Sequence, residues 1–252
     1  MRILKDGCRL YGPEDGKVSA AGNWTGRMVI CRDSGAKRIT QSVNDYTHGS
    51  SRAVVNPNAE EVLYVANGEG ACRINGFDYR LRSGTGVFIP PGAVYSIENS
   101  GPGTLRIIGA CCPEDLQRRF IDPPLETASG EPPRLTVHED EREQIRAGAD
   151  RVFRFLVHTD LGCRQVTQFV GWIPPGKAPF HFHTYEESIF ILEGRGILHL
   201  EGQMSASEFG PGSSIYLPNG VLHCLENPGP SPIRLLGVFH PSGSPGAAYE
   251  DD

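Results

Sequence analysis

Short runs rich in bulky and β-branched residues recur along the second half of the chain, each stopped by Gly, Pro or Asn. They read FRFLVH, TQFVGWIP, SIFILEG, GILHLEG, SIYLPNG, LHCLEN and IRLLGVFH. Such residues suit a pleated, half-buried surface, and runs this short are strands rather than helices. Their regular spacing predicts a sandwich or barrel.

The first half repeats the pattern. EEVLYVANGEG at 60–70 matches EESIFILEGRG at 186–196, an offset of 126 positions. GTGVFIPPGAVYSIEN at 84–99 matches GSSIYLPNGVLHCLEN at 212–227, an offset of 128. Both copies set a Pro-x-Gly turn between two strand-like runs and end on Asn. The change of offset falls in the loop between the blocks, where insertions cost little. A duplicated all-β domain follows. Residues 1–122 form the first unit with an N-terminal extension, 123–150 a linker, 151–245 the second unit and 246–252 a flexible tail. The linker opens rich in Pro and Gly, then turns charged, and HEDEREQIRAGA is expected to form a short helix.

Composition agrees with many short elements, with 31 glycines and 20 prolines in 252 residues. The formal net charge of -6 comes without a Lys/Arg block, so neither nucleic acid nor an anionic membrane is expected as a partner. No apolar run approaches the roughly 18 residues of a membrane span. The charged N-terminus lacks the apolar core of a secretory signal. Seven cysteines with no CxxC spacing suit reduced thiols, and a cytoplasmic location is expected. Asn23-Trp24-Thr25 fits a glycosylation acceptor only by chance on that reading.

The chemistry concentrates in GKAPFHFHTYEESIFILEGRG, 176–196. On an extended strand, residues two apart face the same way, so His181 and His183 project together. Glu187 keeps that parity, and the second block adds His223. Neutral imidazoles with one carboxylate make a mixed N/O site suited to one divalent transition metal: Fe, Mn, Zn, Ni, Co or Cu. A metal would also satisfy polar groups that are costly to bury unpaired.

These residues fill two motifs without a break. G-x5-H-x-H-x3-E-x6-G runs from Gly176 through His181, His183 and Glu187 to Gly194, and G-x5-P-x-G-x2-H-x3-N runs from Gly212 through Pro218, Gly220 and His223 to Asn227. The chain thereby resembles the cupin superfamily, and its two copies resemble the bicupins. The resemblance implies two tandem jelly-roll barrels with His181, His183, Glu187 and His223 binding metal inside the second. The first copy departs from the pattern. By the two offsets, His181 and His183 correspond to Val55 and Pro57, and His223 to Tyr95, while Glu61 is retained. The first barrel is therefore expected to bind no metal and to support packing, as single cupins do when they pair as homodimers. A homodimer of the whole chain is left open.

Parity places Ile189, Ile191 and Leu225 toward the pocket. Arg164 and Gln168, on the preceding strands, are candidates to hold a substrate carboxylate or carbonyl. His138 is expected to be solvated, His199 to face either way, and Cys224 to point away from the metal. The small-molecule substrate is expected to be oxygen-rich. Several cupin dioxygenases use three histidines and one glutamate, which favours an iron dioxygenase. A non-oxidative isomerase, lyase, decarboxylase or aminohydrolase using Mn, Zn or Ni is the alternative. The layout is similar to ureidoglycine aminohydrolases, whose second motif carries glutamine where this chain has His223. A binding protein without turnover is a third reading.

Overall fold

The computed structural model describes residues 1–114, 117–121, 127–147 and 151–245. The tail expected over 246–252 and the unit boundary expected at 122–123 lie outside them. Strands dominate, and the only helical elements among the described residues are single 3-10 turns. Each half is built from two facing antiparallel sheets, the all-β jelly-roll layout expected from the repeats.

In the N-terminal half, one sheet runs in the order Thr136–His138, Thr85–Ile89, Glu60–Asn67, Leu105–Cys112, Gln41–Tyr46, Trp24–Ile30, Lys17–Ala21. Facing it are Phe77–Arg82, Glu69–Ile74, Val94–Asn99, Ala53–Val55 and Arg119–Ile121. In the C-terminal half the larger sheet runs Arg2–Ile3, Arg9–Tyr11, Ser214–Leu217, Glu186–Glu193, Ile233–His240, Thr167–Ile173, Arg151–Phe155, Ile145–Ala147. Its smaller sheet holds Gly176–Lys177, His223–Asn227, Gly196–Leu200 and Ser207–Phe209.

The halves exchange strands. The extension grouped with the first unit on sequence pairs instead with the C-terminal sheet, Leu10 opposite Ile215. Reciprocally, linker strand Thr136–His138 pairs with Thr85–Ile89 of the N-terminal sheet. The helix expected from HEDEREQIRAGA is replaced, in its described part, by a 3-10 turn at Glu139–Glu141 and the strand Ile145–Ala147. Tertiary partners override helix propensity there. Glu139 receives Arg234 at 2.6 Å, and Arg142 donates to Asp160 at 2.6 Å and to the Leu156 carbonyl at 2.8 Å. His138, expected in solvent, is buried, with Nε2 2.9 Å from the Ser83 carbonyl oxygen.

The two larger sheets pack on each other through an apolar layer that includes Val62, Ile108, Val170, Leu236 and Val238. Two buried carboxylates lock this interface in a pseudo-twofold manner. Glu60 accepts from the backbone N–H of Arg164 at 3.0 Å and of Gln165 at 2.8 Å. Glu186 accepts from the N–H groups of Arg38 and Ile39, both at 2.7 Å, and from the Tyr216 hydroxyl at 3.1 Å. Each carboxylate immediately precedes the glutamate that faces its own barrel's interior. A second cluster, with Phe153, Phe169, Ile189, Leu225 and Phe239, fills the C-terminal barrel itself.

The Pro-x-Gly turns deliver the second motif. Val221 donates to the Pro218 carbonyl, and Gly220 has φ +80°. The matching turn in the first half has Ala93 donating to Pro90 and Gly92 at φ +77°. A positive φ at the third residue suits Gly and is what a type II turn requires. His223 opens the strand that leaves this turn.

Candidate metal centre

The loop between Gly176–Lys177 and Glu186–Glu193 carries His181 and His183 to the mouth of the C-terminal barrel. An isolated antiparallel bridge fixes His181 beside His223, with mutual backbone hydrogen bonds of 3.0 and 2.9 Å. The ring centroids are 4.5 Å apart for His181–His223, 4.9 Å for His183–His223 and 5.1 Å for His181–His183. One ligating nitrogen from each of the three lies within 4.8 Å of the others.

Two of the rings are oriented by the backbone. Nδ1 of His223 lies 2.9 Å from the Val221 carbonyl oxygen, and Nδ1 of His181 lies 3.2 Å from that of Pro179. With Nδ1 carrying the donated proton, each leaves its Nε2 lone pair for a ligand, an arrangement common to metal-bound histidines. Burial pulls the His223 pKa down to about 3, and the neighbouring His183 and His181 add to that. Burial also lowers His181, to about 4, against the raising effect of the Pro179 carbonyl. Both are therefore neutral at neutral pH.

Glu187, on the strand that follows the loop and 3% exposed, brings a carboxylate to the His183 side of the cluster. Its Oε2 lies 3.0 Å from His183 Nδ1, yet neither atom makes a hydrogen bond among the described residues. Their contact distance and their lack of bonding geometry are best reconciled by a common third partner between them. Orphaned buried donors and acceptors are costly. Three imidazoles and a carboxylate converging in this way fit a first-row divalent ion.

The pocket in front of the cluster has a volume of about 70 Å³. Ile189 and Leu225 line it, together with Phe153, Phe169, Tyr185 and Arg151. Ile191, expected there, is fully buried one step further along the strand, in the core behind the lining. Arg164 and Gln168 are corrected. Arg164 lies in the loop before the strand, exposed, with its backbone N–H on Glu60. On Thr167–Ile173 the inward residues are Phe169, Gly171 and Ile173, so Gln168 faces the other way, toward Gly86 of the N-terminal half.

Arg151 and Tyr185 are among the lining residues that the sequence reading did not name. Arg151 donates Nη2 to the Leu225 carbonyl at 2.9 Å, while its Nε has no partner among the described residues. Nothing in sequence marks it: it opens the strand Arg151–Phe155 as one charged residue among several in the charged stretch 138–151. Tyr185 stacks between His183 and Phe239, with centroids 4.5 and 4.2 Å away. Its parity with His183 and Glu187 was a usable signal. The other histidines stand apart. His199 pairs outward with Glu226 at 2.6 Å, His158 with Asp160 at 3.2 Å, and His240 Nδ1 lies 2.8 Å from the Gln165 carbonyl oxygen. Cys224 points away, its thiol donating to the Ala178 carbonyl, and burial raises its pKa.

In the N-terminal half the pairing places Val54 opposite Tyr95, where His181 stands opposite His223. The counterparts of His181 and His183 are therefore Val54 and Asn56, one residue before those named by the sequence offset. Tyr95 donates to Glu61 Oε2 at 2.9 Å.

The sequence pattern of the family described as "Cupin domain" matches residues 46–111 and 169–239. An uncharacterized protein of Methanocaldococcus jannaschii is 38% identical over 94 residues, which are 36% of this chain and 73% of that protein. Germin-like protein subfamily 2 member 3 of Arabidopsis thaliana is 32% identical over 74 residues, 28% of this chain and 34% of that protein. Among solved structures, a mutant of Bacillus subtilis oxalate decarboxylase superposes with a TM-score of 0.76, covering 93% of this chain and 78% of that one at 14% identity. That likeness is one of fold. No helix of the described residues is long and apolar enough to cross a membrane.

Proposed function

The chain belongs to the cupin family, and on that premise we propose that it is a metal-dependent enzyme acting on a small, oxygen-rich metabolite. His181, His183, Glu187 and His223 would hold one divalent ion. The observation that carries this reading is the convergence of three histidine nitrogens within 4.8 Å beside the unpaired Glu187 Oε2. When bound, the ion would supply Lewis acidity, with redox capacity in addition if it is iron.

The chain's own residues favour an anionic substrate. Arg151 brings a guanidinium to a pocket that is otherwise walled by Phe153, Phe169, Ile189 and Leu225. A carboxylate entering the pocket would meet that guanidinium charge, which the Leu225 carbonyl holds in place through Nη2. The apolar wall excludes water and strengthens that attraction. Glu187 is the only carboxyl group in the described lining, and no lysine or thiol joins it. Tyr185 is a neutral proton donor in that lining; a dioxygenase, which needs no such donor, is the first reading. Bacillus subtilis oxalate decarboxylase, a fold relative with Mn(II) centres, supports a second reading: non-oxidative cleavage of a small acid.

The test is anaerobic loading with Fe(II) or Mn(II), followed by addition of small hydroxy and keto acids with oxygen and CO2 both monitored. Oxygen uptake with the iron form supports the dioxygenase; CO2 release without net oxygen uptake moves the assignment to a decarboxylase. Arg151→Gln should raise KM about tenfold or more for the active acid, the loss of one charge-assisted hydrogen bond. An unchanged KM would remove Arg151 from substrate binding.

A further inference from the structure

The N-terminal barrel has its own internal cavity, of about 170 Å³, against about 70 Å³ for the pocket of the C-terminal barrel. The strand registers explain the difference. Gly109 pairs with Ser42 where Gly237 pairs with Phe169, and Cys111 pairs with Glu61 where Phe239 pairs with Glu187. Gly26 pairs with Asn44 where Phe153 pairs with Gly171. Three phenylalanines of the C-terminal barrel, Phe169, Phe239 and Phe153, thus have Ser42, Cys111 and Gly26 as counterparts. The space is larger, and polar groups line it.

A buried polar chain crosses this cavity. Arg118 Nη2 donates to the Tyr95 hydroxyl at 2.6 Å, and that hydroxyl donates to Glu61 Oε2. Burial raises the Tyr95 pKa well above the usual phenol value, so the proton stays on the hydroxyl. Two atoms of the chain make no hydrogen bond among the described residues: Arg118 Nε, a donor, and Glu61 Oε1, an acceptor, although the Cys111 thiol also lies against the Glu61 carboxylate. Glu61 is 2% exposed. The neutral groups nearby are already engaged, Asn44 Oδ1 by Trp24 Nε1 at 3.0 Å and Thr40 Oγ1 by the Cys111 N–H at 3.1 Å. Lys17 and Arg27 also line the space and add positive charge.

A molecule that satisfies both leftover atoms needs an acceptor, preferably anionic, at Arg118 and a donor at Glu61. We propose that this cavity is a second, metal-free binding site for a small hydroxycarboxylate, with the carboxylate on Arg118 and the hydroxyl donating to Glu61. The size agrees: a cavity of about 150 Å³ admits benzene, and lactate has as many heavy atoms. Arg118 lies 5.8 Å from the Trp24 ring, so an occupant beside the guanidinium changes the surroundings of that indole.

Trp24 and Trp172 are the chain's two tryptophans, so Trp172→Phe leaves Trp24 as the reporter of this cavity. The full chain with that substitution, and with His181→Ala/His183→Ala to disable the other site, is titrated with glycolate, lactate and malate. Propionate, which is lactate without its hydroxyl, is the control. Saturable change in Trp24 fluorescence is expected for at least one hydroxy acid. Lactate should bind about tenfold more tightly than propionate, and Arg118→Gln should weaken lactate by at least about the same factor. Glu61→Gln, which keeps shape and removes charge, should erase the preference for lactate while propionate binding persists. No saturable response from any of the three acids overturns the proposal. Equal affinity for lactate and propionate, or binding indifferent to Glu61→Gln, also overturns it. Circular dichroism of each variant confirms that it is folded.

Discussion

The two barrels keep a buried glutamate at the same register and compensate it differently. Glu187 lies beside the histidine cluster, its Oε2 3.0 Å from His183 Nδ1 and without a hydrogen bond among the described residues. Glu61 receives the Tyr95 hydroxyl, which is itself held by Arg118. A carboxylate inside a barrel is too costly to leave alone. In one half the cluster has the donor set for a metal; in the other, a phenol and a guanidinium supply the hydrogen bonding and the charge. The scaffold is the same, and the residues at three or four register positions change the chemistry.

The largest expected asymmetry is in metal affinity. His223→Ala should weaken metal binding by about a hundredfold or more, beyond what loss of an outer hydrogen-bonding partner costs. Tyr95→Ala, at the same register in the other barrel, should leave it unchanged. Competition with a chromophoric chelator measures both, and equal losses would end the one-site assignment.

A symmetric result is expected at the interface between the barrels. Glu60→Ala and Glu186→Ala each remove a carboxylate that caps backbone N–H groups of the other half, leaving buried donors unpaired. Each should lower stability by about 2–4 kcal/mol in urea unfolding. A loss confined to one of the pair would show that the interface is less symmetric than its hydrogen bonds.

A contrast read per unit of pH also separates the halves. With its pKa drawn down to about 3 by burial, His223 is neutral in the folded, metal-free protein while the unfolded chain protonates near 6.5. The unfolded state then binds the extra proton, so stability falls as pH drops below 6.5, by up to about 1.4 kcal/mol per unit. The loss levels off near the folded value. His223→Ala should reduce this slope, and Tyr95→Phe should not. Urea melts of chelator-treated protein at several pH values between these limits give the slopes.

The duplication, the strand content and the meeting of His181, His183 and His223 were legible in sequence because they are local: a two-residue period, a Pro-x-Gly turn, a fixed motif spacing. What was not legible depends on pairing across the chain. The exchange of Arg9–Tyr11 and Thr136–His138 between sheets leaves no local mark. The register between Tyr95 and Val54 moved the counterparts of the histidines by one residue from the sequence offset. Gln168, a candidate for the pocket, faces the other way because its strand's parity is set by Phe169, whose ring lies over Gly237 in the neighbouring strand. Arg118 follows the last core strand of its half in a segment with no periodicity, and only the tertiary fold brings it to Tyr95.

Metal content of the untagged chain, purified without chelator beside the His181→Ala/His183→Ala variant, tests the central claim most directly. One divalent ion per chain, lost in the variant, is the predicted result. Equal metal in both proteins, or none in either after reconstitution, would contradict a metal centre at His181, His183, Glu187 and His223.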